Sequence, residues 1–252
     1  MRIQNDRSTI PTRLLSPSPL AGKVALVTGG SRGIGAATAR RLAADGATVA
    51  ISYNASPAAA EAVVSSISET GGTAQAYRAD PAATVGLLDA VVRDHGRLDI
   101  LVNNAGIYRT GSTDETSEAD FDATMAVNAK AVYTAGQAAA TRLADGGRIG
   151  SIVGSTASFP GHAAYAASKA AVTAFAGVWS RELGARGVTV NTVHPGPIDT
   201  DMNPAAGFMA GMTALGRYGT ADEIASAVAY LASPEAGYVT GAQLTIDGGM
   251  TA

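Results

Sequence analysis

The sequence contains no cysteine, which excludes disulfides, thiolate catalysis and cysteine-based metal sites. It has only three histidines, His95, His162 and His194, and no two of them stand at metal-ligand spacing. No apolar run reaches the roughly 18 residues that a membrane span needs. The formal net charge of -3 provides no basic surface for nucleic acid or anionic lipid. We therefore predict no metal, no nucleic-acid partner and no membrane partner.

The first 21 residues differ in composition from the rest of the chain. They carry Arg2, Arg7 and Arg13 and end near a Ser-Pro-Ser-Pro segment, without the apolar core of a secretory signal. Residues 1–21 are therefore predicted to be a disordered extension, with a transit peptide as the alternative. Residues 22–252 are long and hydrophobic enough to form a single domain. We expect a cytoplasmic protein.

From Lys23 onward, short apolar runs alternate with longer Ala-rich segments, a pattern typical of strands and helices in turn. Such alternation predicts an α/β fold: a single Rossmann-type, doubly wound parallel sheet of seven strands with helices on both faces. The predicted strands are 24–27, 48–53, 74–79, 98–102, 148–154, 189–193 and 243–246. The predicted helices are 36–44, 57–70, 81–95, 118–143, 162–183 and 222–232, and Ser56 is expected to cap the second.

A glycine-rich turn follows the first strand and precedes the first helix. Its glycines are Gly29, Gly33 and Gly35, in the spacing G-x-x-x-G-x-G rather than the dinucleotide pattern G-x-G-x-x-G. Glycines let a backbone approach a pyrophosphate closely, and a helix N-terminus offers unpaired N–H groups. The order of strand, turn and helix favours a phosphate site, and a simple turn is the alternative.

The second strand lacks the carboxylate that normally holds a ribose 2′-hydroxyl. No acidic residue occurs between Asp45 and Glu61, where that carboxylate is expected. Arg32 lies within the glycine turn, and a cation with hydroxyl groups suits a 2′-phosphate. The sequence therefore favours NADP(H) over NAD(H), unless Arg32 is only a solvated loop residue. The polar residues available after the strand are Ser52, Tyr53, Asn54 and Ser56.

Tyr165 and Lys169 lie one helical turn apart and should project from the same face of a helix. An adjacent ammonium favours the phenolate, so Lys169 is expected to lower the pKa of Tyr165 and make it a proton donor and acceptor nearer neutrality. Ser155, at the end of the preceding strand, could hold the substrate oxygen that Tyr165 protonates. A solvated Tyr/Lys face is the alternative.

Taken in order, these residues resemble the classical short-chain dehydrogenases/reductases, including 3-ketoacyl-carrier-protein reductases. The resemblance covers residues 23–250, nearly the whole chain outside the extension. The matching elements are Thr28-Gly29-Gly30-Ser31-Arg32-Gly33-Ile34-Gly35, Asn103-Asn104-Ala105-Gly106, Asn128, Ser155, Tyr165-Ala166-Ala167-Ser168-Lys169 and Pro195-Gly196.

The resemblance implies a role for each matching residue. Tyr165 would be the general acid and base, Lys169 would bind the nicotinamide ribose, and Asn128 would hold a water in a proton relay. A hydrogen bond across a helix kink is the alternative for Asn128. Asp80 would accept from the adenine amino group. The other implied cofactor-binding residues are Ser31 and Ile34 in the glycine turn, Asn104, Ala105 and Gly106 at the adenosine ribose, and Pro195, Gly196, Ile198 and Thr200 near the carboxamide.

The sequence departs from the family pattern in the short spacing between Ser155 and Tyr165, which is ten residues instead of a dozen or more. Ser155 is preferred because it follows a strand and Gly154, with Ser151 and Ser158 as fallbacks. His162 and His194 lie near the expected site. For both, a loop hydrogen bond is the expectation, with substrate contact as the alternative.

Substrate and assembly are less constrained by the sequence. Met202, Phe208, Met209 and Met212 lie in a segment that should cover the cleft, which suits a hydrophobic or 3-ketoacyl carbonyl substrate. In the family, helices equivalent to 118–143 and 162–183 form a dimer bundle, so we expect a homotetramer or homodimer. The predicted function is reversible NADP(H)-dependent reduction of a ketone to a secondary alcohol. A non-catalytic NADP(H)-sensing protein on the same fold is the alternative.

Overall fold

Seven parallel strands form one sheet in the computed structural model, which describes residues 18–154, 159–203 and 208–252. The strands lie in the order β3-β2-β1-β4-β5-β6-β7. Their bounds are β1 (Val24–Val27), β2 (Thr48–Tyr53), β3 (Thr73–Arg78), β4 (Ile100–Asn103), β5 (Arg148–Ile152), β6 (Thr189–Pro195) and β7 (Gln243–Ile246).

Within the described ranges, seven α-helices accompany the sheet and cover its two faces. Helix α1 packs on α2 and α7 on one face, whereas α3, α5 and α6 pack together on the other. The predicted doubly wound parallel fold is therefore confirmed. The helix bounds are α1 (Gly33–Ala44), α2 (Pro57–Glu69), α3 (Thr84–His95), α4 (Glu118–Met125), α5 (Ala131–Arg142), α6 (Ala163–Glu182) and α7 (Ala221–Ala232).

Strand β1 shows why the central strands are apolar throughout. Ala25 and Val27 belong to the core beneath α1, α2 and α7, while Val24 and Leu26 belong to the core beneath α3, α5 and α6. Successive side chains of a strand point to opposite faces, and both faces are covered here. An uninterrupted apolar run is therefore the pattern that fits this position.

The strand order reverses direction at β1, which pairs with β2 on one side and with β4 on the other. The connections on the two sides of this point lead to opposite faces of the sheet. A crevice opens at the carboxyl ends of the strands at such a reversal. The residues that follow β1, β2 and β4 are therefore brought together there.

Two predicted helices differ in detail from the structure. The segment predicted as one helix over 118–143 is interrupted by a π-helical turn, Ala126–Lys130, between α4 and α5. The helix predicted over 81–95 begins with a separate 3₁₀ turn, Pro81–Ala83, which the Asp80 side chain caps by accepting from the Ala82 N–H at 2.8 Å. Both irregularities are set by hydrogen bonds that helix propensity does not include.

The predicted N-terminal extension lies mostly in residues 1–17, outside the described residues. Residues 18–21 form turns instead of a free extension. Leu20 is 2% exposed within the core beneath α1, and its N–H donates to the Asp45 carbonyl at 2.9 Å. The last residues of the predicted extension are therefore packed against the folded chain.

Candidate active site

A cleft of about 790 Å³ lies at the carboxyl ends of β1, β2, β4, β5 and β6. Its size is within the range typical of sites that hold cofactors and small substrates. Most of the residues predicted for the site line this cleft. They are Gly29, Ser31, Arg32, Gly33, Ile34, Tyr53, Asn54, Ser56, Asp80, Asn104, Ala105, Gly106, Tyr165, Lys169, Pro195, Gly196, Ile198 and Thr200.

The glycine turn needs glycine for two different reasons. Gly29 and Gly33 have φ values of 65° and 53°, which other residues rarely adopt. Gly35 lies in the first turn of α1, where a Cβ atom would stand 2.4 Å from both the Gly29 carbonyl oxygen and Asn104 Nδ2. Gly29 and Gly35 are therefore packed too closely against the end of β4 and the turn itself to carry a side chain. At these positions the chain presents its backbone to the cleft.

The end of β4 is tied to this turn by hydrogen bonds. Thr28 Oγ1 accepts from the backbone N–H groups of Asn104 and Ala105 at 3.0 and 3.1 Å. Asn104 Nδ2 donates to the carbonyls of Thr28 and Gly29 at 2.9 and 3.0 Å. The Asn104 side chain therefore holds the glycine turn, and it also lines the cleft, so its contact with the adenosine ribose stays a prediction.

Polar groups gather where β2 ends, beside the glycine turn. Ser56 precedes α2, but its side chain makes no capping hydrogen bond, so the predicted cap is wrong. Its hydroxyl is therefore not used by the helix, and it lines the cleft together with Tyr53 and Asn54. The Arg32 side chain is exposed and forms no hydrogen bond or ion pair with the described residues. Arg32, which has no partner among the described residues, thus lines the same cleft as these three polar side chains.

Loops after β3 and β6 close the remaining sides of the cleft. Asp80 lines it while capping its 3₁₀ turn. Gly196 is required by close packing, because a Cβ atom there would lie 2.6 Å from Asp247 Cα. Thr200 reaches toward the glycine turn, with its methyl carbon 3.4 Å from the Cβ position of Gly33.

Tyr165 and Lys169 project into the cleft from the first turns of α6. Lys169 Nζ lies 5.6 Å from the centroid of the Tyr165 ring and donates to the Ile152 carbonyl at 2.9 Å. Gly106 lies close to the same ammonium, because its Cβ position is 3.5 Å from Nζ. The predicted Tyr/Lys pair is therefore buried in the cleft, rather than part of a solvated helix face.

The pKa values of this pair are set by burial. Burial raises the pKa of Tyr165 to about 12, and the neighbouring Tyr108 adds to the effect. Burial lowers the pKa of Lys169 to about 8. Lys169 was expected to lower the pKa of Tyr165. The pKa is instead raised, because removing the phenol from water disfavours the phenolate. Tyr165 is protonated at neutral pH and is poised to donate.

The burial of Lys169 predicts a pH-dependent stability. In unfolded chains the pKa of lysine is about 10.4, so between about pH 8 and pH 10 the unfolded chain retains a proton that the folded protein has lost. Relative to a Lys169→Met variant, the free energy of unfolding should therefore rise with pH, by about 2 kcal/mol between pH 7.5 and 9.5. Urea unfolding of both proteins between pH 7.5 and 9.5 measures this difference.

The exposed Lys130→Met variant is the matched control for the pH experiment, because its lysine lies on the surface of the π-helical turn. The difference in free energy of unfolding between Lys130→Met and the wild type should stay constant over the same pH range. If the difference in free energy of unfolding between Lys169→Met and the wild type were also constant, the predicted titration of Lys169 would be wrong.

Asn128 lies on the π-helical turn and is fully buried. Its Oδ1 accepts from the Ile107 N–H at 2.8 Å, and its Nδ2 donates to the Ile107 carbonyl at 2.9 Å and to Ser168 Oγ at 3.2 Å. It does not line the cleft. These contacts fit the alternative given above, a structural hydrogen bond at a helix irregularity, and the proton-relay water stays a prediction.

The predicted serine, Ser155, lies outside the described residues, as does the fallback Ser158. The other fallback, Ser151, is 1% exposed in β5, and its hydroxyl accepts from Asn103 Nδ2 at 3.2 Å. It does not line the cleft, so it cannot take the role considered for Ser155.

Three aromatic or imidazole side chains at one end of the cleft are the main residues that sequence reasoning missed or underrated. The ring of Tyr108 meets the ring of Tyr165 at 88°, with centroids 5.1 Å apart. Tyr108 hydrogen-bonds His162, which also contacts the ring of Phe159. Met202 and Met209 line the same end. The sequence signal that could have identified Tyr108 is its aromatic side chain on the loop that follows β4.

His194 does not take part in this group. It lies within β6, is 5% exposed and forms a hydrogen bond of 2.9 Å between its Nε2 and Thr192 Oγ1. Across the described ranges, no three His, Cys, Asp or Glu side chains converge to hold a metal ion. None of the described helices is both long and apolar enough to span a bilayer.

The parallel, doubly wound sheet carries a glycine turn at the point where its strand order reverses. The Tyr165/Lys169 pair lies in the same cleft. This combination defines a dinucleotide-dependent oxidoreductase. Residues 29–251 match the model of a family described as Enoyl-(Acyl carrier protein) reductase. The chain belongs to the short-chain dehydrogenase/reductase family, as its relatives and solved structures also show.

Three similar proteins illustrate the range of this family. The Cyclic-di-GMP-binding biofilm dispersal mediator protein of Escherichia coli (strain K12) is 47% identical, over 90% of this chain and 96% of the relative. The 3-oxoacyl-[acyl-carrier-protein] reductase FabG of the same organism is 42% identical, over 91% and 97%. A short chain dehydrogenase from Burkholderia cenocepacia J2315, crystallised in complex with NADP, is 50% identical with a TM-score of 0.90, covering 93% of this chain and all of that one.

Proposed function

We propose that this protein is an NADP(H)-dependent oxidoreductase that interconverts a ketone and a secondary alcohol. The observation that carries the proposal is the buried pair of Tyr165 and Lys169 at the cleft, with the Lys169 ammonium 5.6 Å from the centroid of the Tyr165 ring. A protonated phenol held beside an ammonium is a general acid for a carbonyl oxygen. The natural ketone is not specified by these residues.

The cleft fits a dinucleotide phosphate at the glycine turn. Gly29 and Gly35 leave no space for side chains, so backbone N–H groups at the start of α1 are available to phosphate oxygens. Asp80 would receive the adenine amino group, and Ile198 and Thr200 would contact the carboxamide. The Burkholderia cenocepacia relative was crystallised in complex with NADP, which supports a dinucleotide as the ligand of this cleft.

A preference for NADP(H) over NAD(H) is proposed from the cation in the glycine turn and the polar residues after β2. Arg32 has no protein partner among the described residues, and Ser56 does not use its hydroxyl for capping. Both would be available to a 2′-phosphate, together with Tyr53 and Asn54. No carboxylate stands there to favour a free 2′-hydroxyl.

When bound, the nicotinamide would supply or accept the hydride of the reaction. Tyr165 would donate its phenolic proton to the carbonyl oxygen during reduction and would regain it from solvent. Because burial raises its pKa to about 12, the phenol carries its proton at neutral pH, as a general acid for carbonyl reduction must. Lys169 would bind the ribose hydroxyls, and Ser155 would hold the substrate oxygen.

The proposal is tested by following NADPH oxidation at 340 nm with a panel of aromatic, aliphatic and 3-ketoacyl ketones. We expect turnover with at least one hydrophobic ketone and a lower KM for NADPH than for NADH. Tight NADPH binding without turnover across the whole panel would contradict an enzymatic function.

A non-catalytic binding protein on the same fold is the second candidate. It is favoured by one observation, the name of the Escherichia coli relative, which describes binding of cyclic-di-GMP and not a reaction. In that case the biological function of this chain should survive Tyr165→Phe. The intact Tyr/Lys pair and its burial in the cleft argue for the enzyme.

We also propose a cytoplasmic homo-oligomer that associates through α5 and α6. Tyr133, Phe175 and Trp179 form an aromatic cluster there, with ring centroids 5.4 Å apart for the first two and 5.6 Å for the last two. Tyr133 is 45% exposed, as is typical of a surface that a second copy covers. A homotetramer would need a second contact, which we place at the edge strand β7.

A further inference from the structure

Tyr108 and His162 form the wall of the cleft next to Tyr165. Tyr108 lies on the loop after β4, and His162 directly precedes α6. The Tyr108 ring stands edge to face against Tyr165, with centroids 5.1 Å apart. Both Tyr108 and His162 line the cleft. A substrate whose carbonyl reaches Tyr165 therefore lies in the same part of the cleft as Tyr108.

The hydrogen bonds of His162 determine the direction of the hydrogen bond to Tyr108. His162 Nδ1 lies 2.9 Å from the Pro160 carbonyl oxygen, and a carbonyl can only accept. Nδ1 therefore carries the hydrogen, and in the neutral imidazole Nε2 is an acceptor. Because Nε2 is the atom paired with Tyr108, the Tyr108 hydroxyl donates to it.

This arrangement leaves the Tyr108 oxygen with lone pairs but no free hydrogen. A substrate group near it can donate a hydrogen bond to this oxygen but cannot accept one from it. The only charged side chain on the same loop that also lines the cleft is Arg109, among the described residues, and it is paired with Asp120. The neighbouring side chains Phe159 and Met209 are apolar.

We propose that Tyr108, oriented by His162, determines specificity by accepting a hydrogen bond from a hydroxyl or amino group of the substrate. The preferred substrate is thus a hydrophobic ketone that carries a neutral hydrogen-bond donor near its carbonyl group. This inference rests on the proposed ketone reduction and narrows its substrate class. Tyr108 selects the substrate, whereas Tyr165 performs the proton transfer.

Two ketones that differ only in the donor test the proposal: 2-hydroxyacetophenone and its 2-methoxy ether. One neutral hydrogen bond corresponds to about a two- to tenfold lower KM for the hydroxyketone in the wild type. Tyr108→Phe keeps the ring against Tyr165 but removes the acceptor, so the KM ratio of the two ketones should fall to about one. His162→Phe releases the Tyr108 hydroxyl to donate to the oxygen of either ketone, so the preference for the hydroxyketone should become smaller than in the wild type.

Tyr77→Phe is the matched control, because Tyr77 also hydrogen-bonds a histidine, His95 Nε2 at 3.1 Å, but lies outside the cleft. It should leave the KM ratio at the wild-type value. A wild-type enzyme without preference, or a preference that Tyr108→Phe retains, would overturn the inference while leaving ketone reduction intact.

The preference can also be measured without turnover. Ligand-observed NMR on the protein with NADP⁺ compares binding of the two ketones to wild type and Tyr108→Phe. If neither ketone is reduced, the proposed function is decided by the full ketone panel, and the binding comparison tests Tyr108 by itself. The role of Tyr108 is supported if the wild type binds the hydroxyketone more tightly than the ether and Tyr108→Phe does not. Equal binding of both ketones to the wild type would overturn it.

Discussion

Replacing Tyr165 with phenylalanine should lower kcat for ketone reduction by about 10²- to 10⁴-fold, the usual contribution of a positioned general acid. The variant keeps the aromatic ring and its edge-to-face contact with Tyr108, so the cleft should retain its shape. The lost hydroxyl is the proton donor, and the remaining residues near it cannot replace it: Lys169 Nζ is held by the Ile152 carbonyl. Initial rates at saturating NADPH measure the effect.

The same variant should bind NADPH within about twofold of the wild type, because one neutral hydroxyl contributes little to cofactor binding. A fluorescence titration of NADPH measures this, and it separates loss of chemistry from loss of fold. Tyr230→Phe, on α7 and outside the cleft, is the control and should retain full activity. If Tyr165→Phe kept more than a tenth of the wild-type kcat, the assigned general acid would be wrong.

Replacing Arg32 with alanine should raise KM for NADPH by about 10- to 150-fold, the cost of one or two charge-assisted hydrogen bonds. KM for NADH should change little, because NADH has no 2′-phosphate to lose a partner. The guanidinium is exposed and has no ion pair among the described residues, so its removal should not unfold the protein. Steady-state kinetics with both coenzymes give the two KM values.

Arg40→Ala is the control for this experiment. Arg40 lies on α1, the helix that follows Arg32, but its guanidinium hydrogen-bonds Ser66 at 3.0 Å outside the cleft. This variant has the same change in charge and should leave the ratio of the two KM values unaltered. An equal rise of both KM values in Arg32→Ala would mean that Arg32 contacts a part common to NADPH and NADH.

Local sequence was sufficient for most of the sheet. Strand β2 was predicted with its observed bounds, Thr48–Tyr53, because glycine and proline delimit it and its residues favour strands. The glycine turn was placed correctly between β1 and α1. Helix α1 begins at Gly33, three residues before the predicted start, because glycine lowers helix propensity but fits the close contact with β4.

Local sequence was not sufficient where a contact links distant residues. The π-helical turn depends on Asn128 reaching Ile107, 21 residues earlier in the chain. Ser56 has the residue type of a cap, yet it does not cap α2. Tyr165 was expected to have a lowered pKa from its neighbour in sequence, but burial raises it. In each case a long-range contact or desolvation outweighs the local tendency.

The sequence by itself determined the order of strands and helices, the glycine turn and the Tyr165/Lys169 pair, because these follow from hydrophobic period, backbone sterics and helical spacing. The tertiary structure alone decided that Tyr108 and His162 stand beside Tyr165 and that burial shifts both pKa values of the pair. Proximity between loops and exclusion of water depend on how the whole chain packs, and no local pattern encodes them.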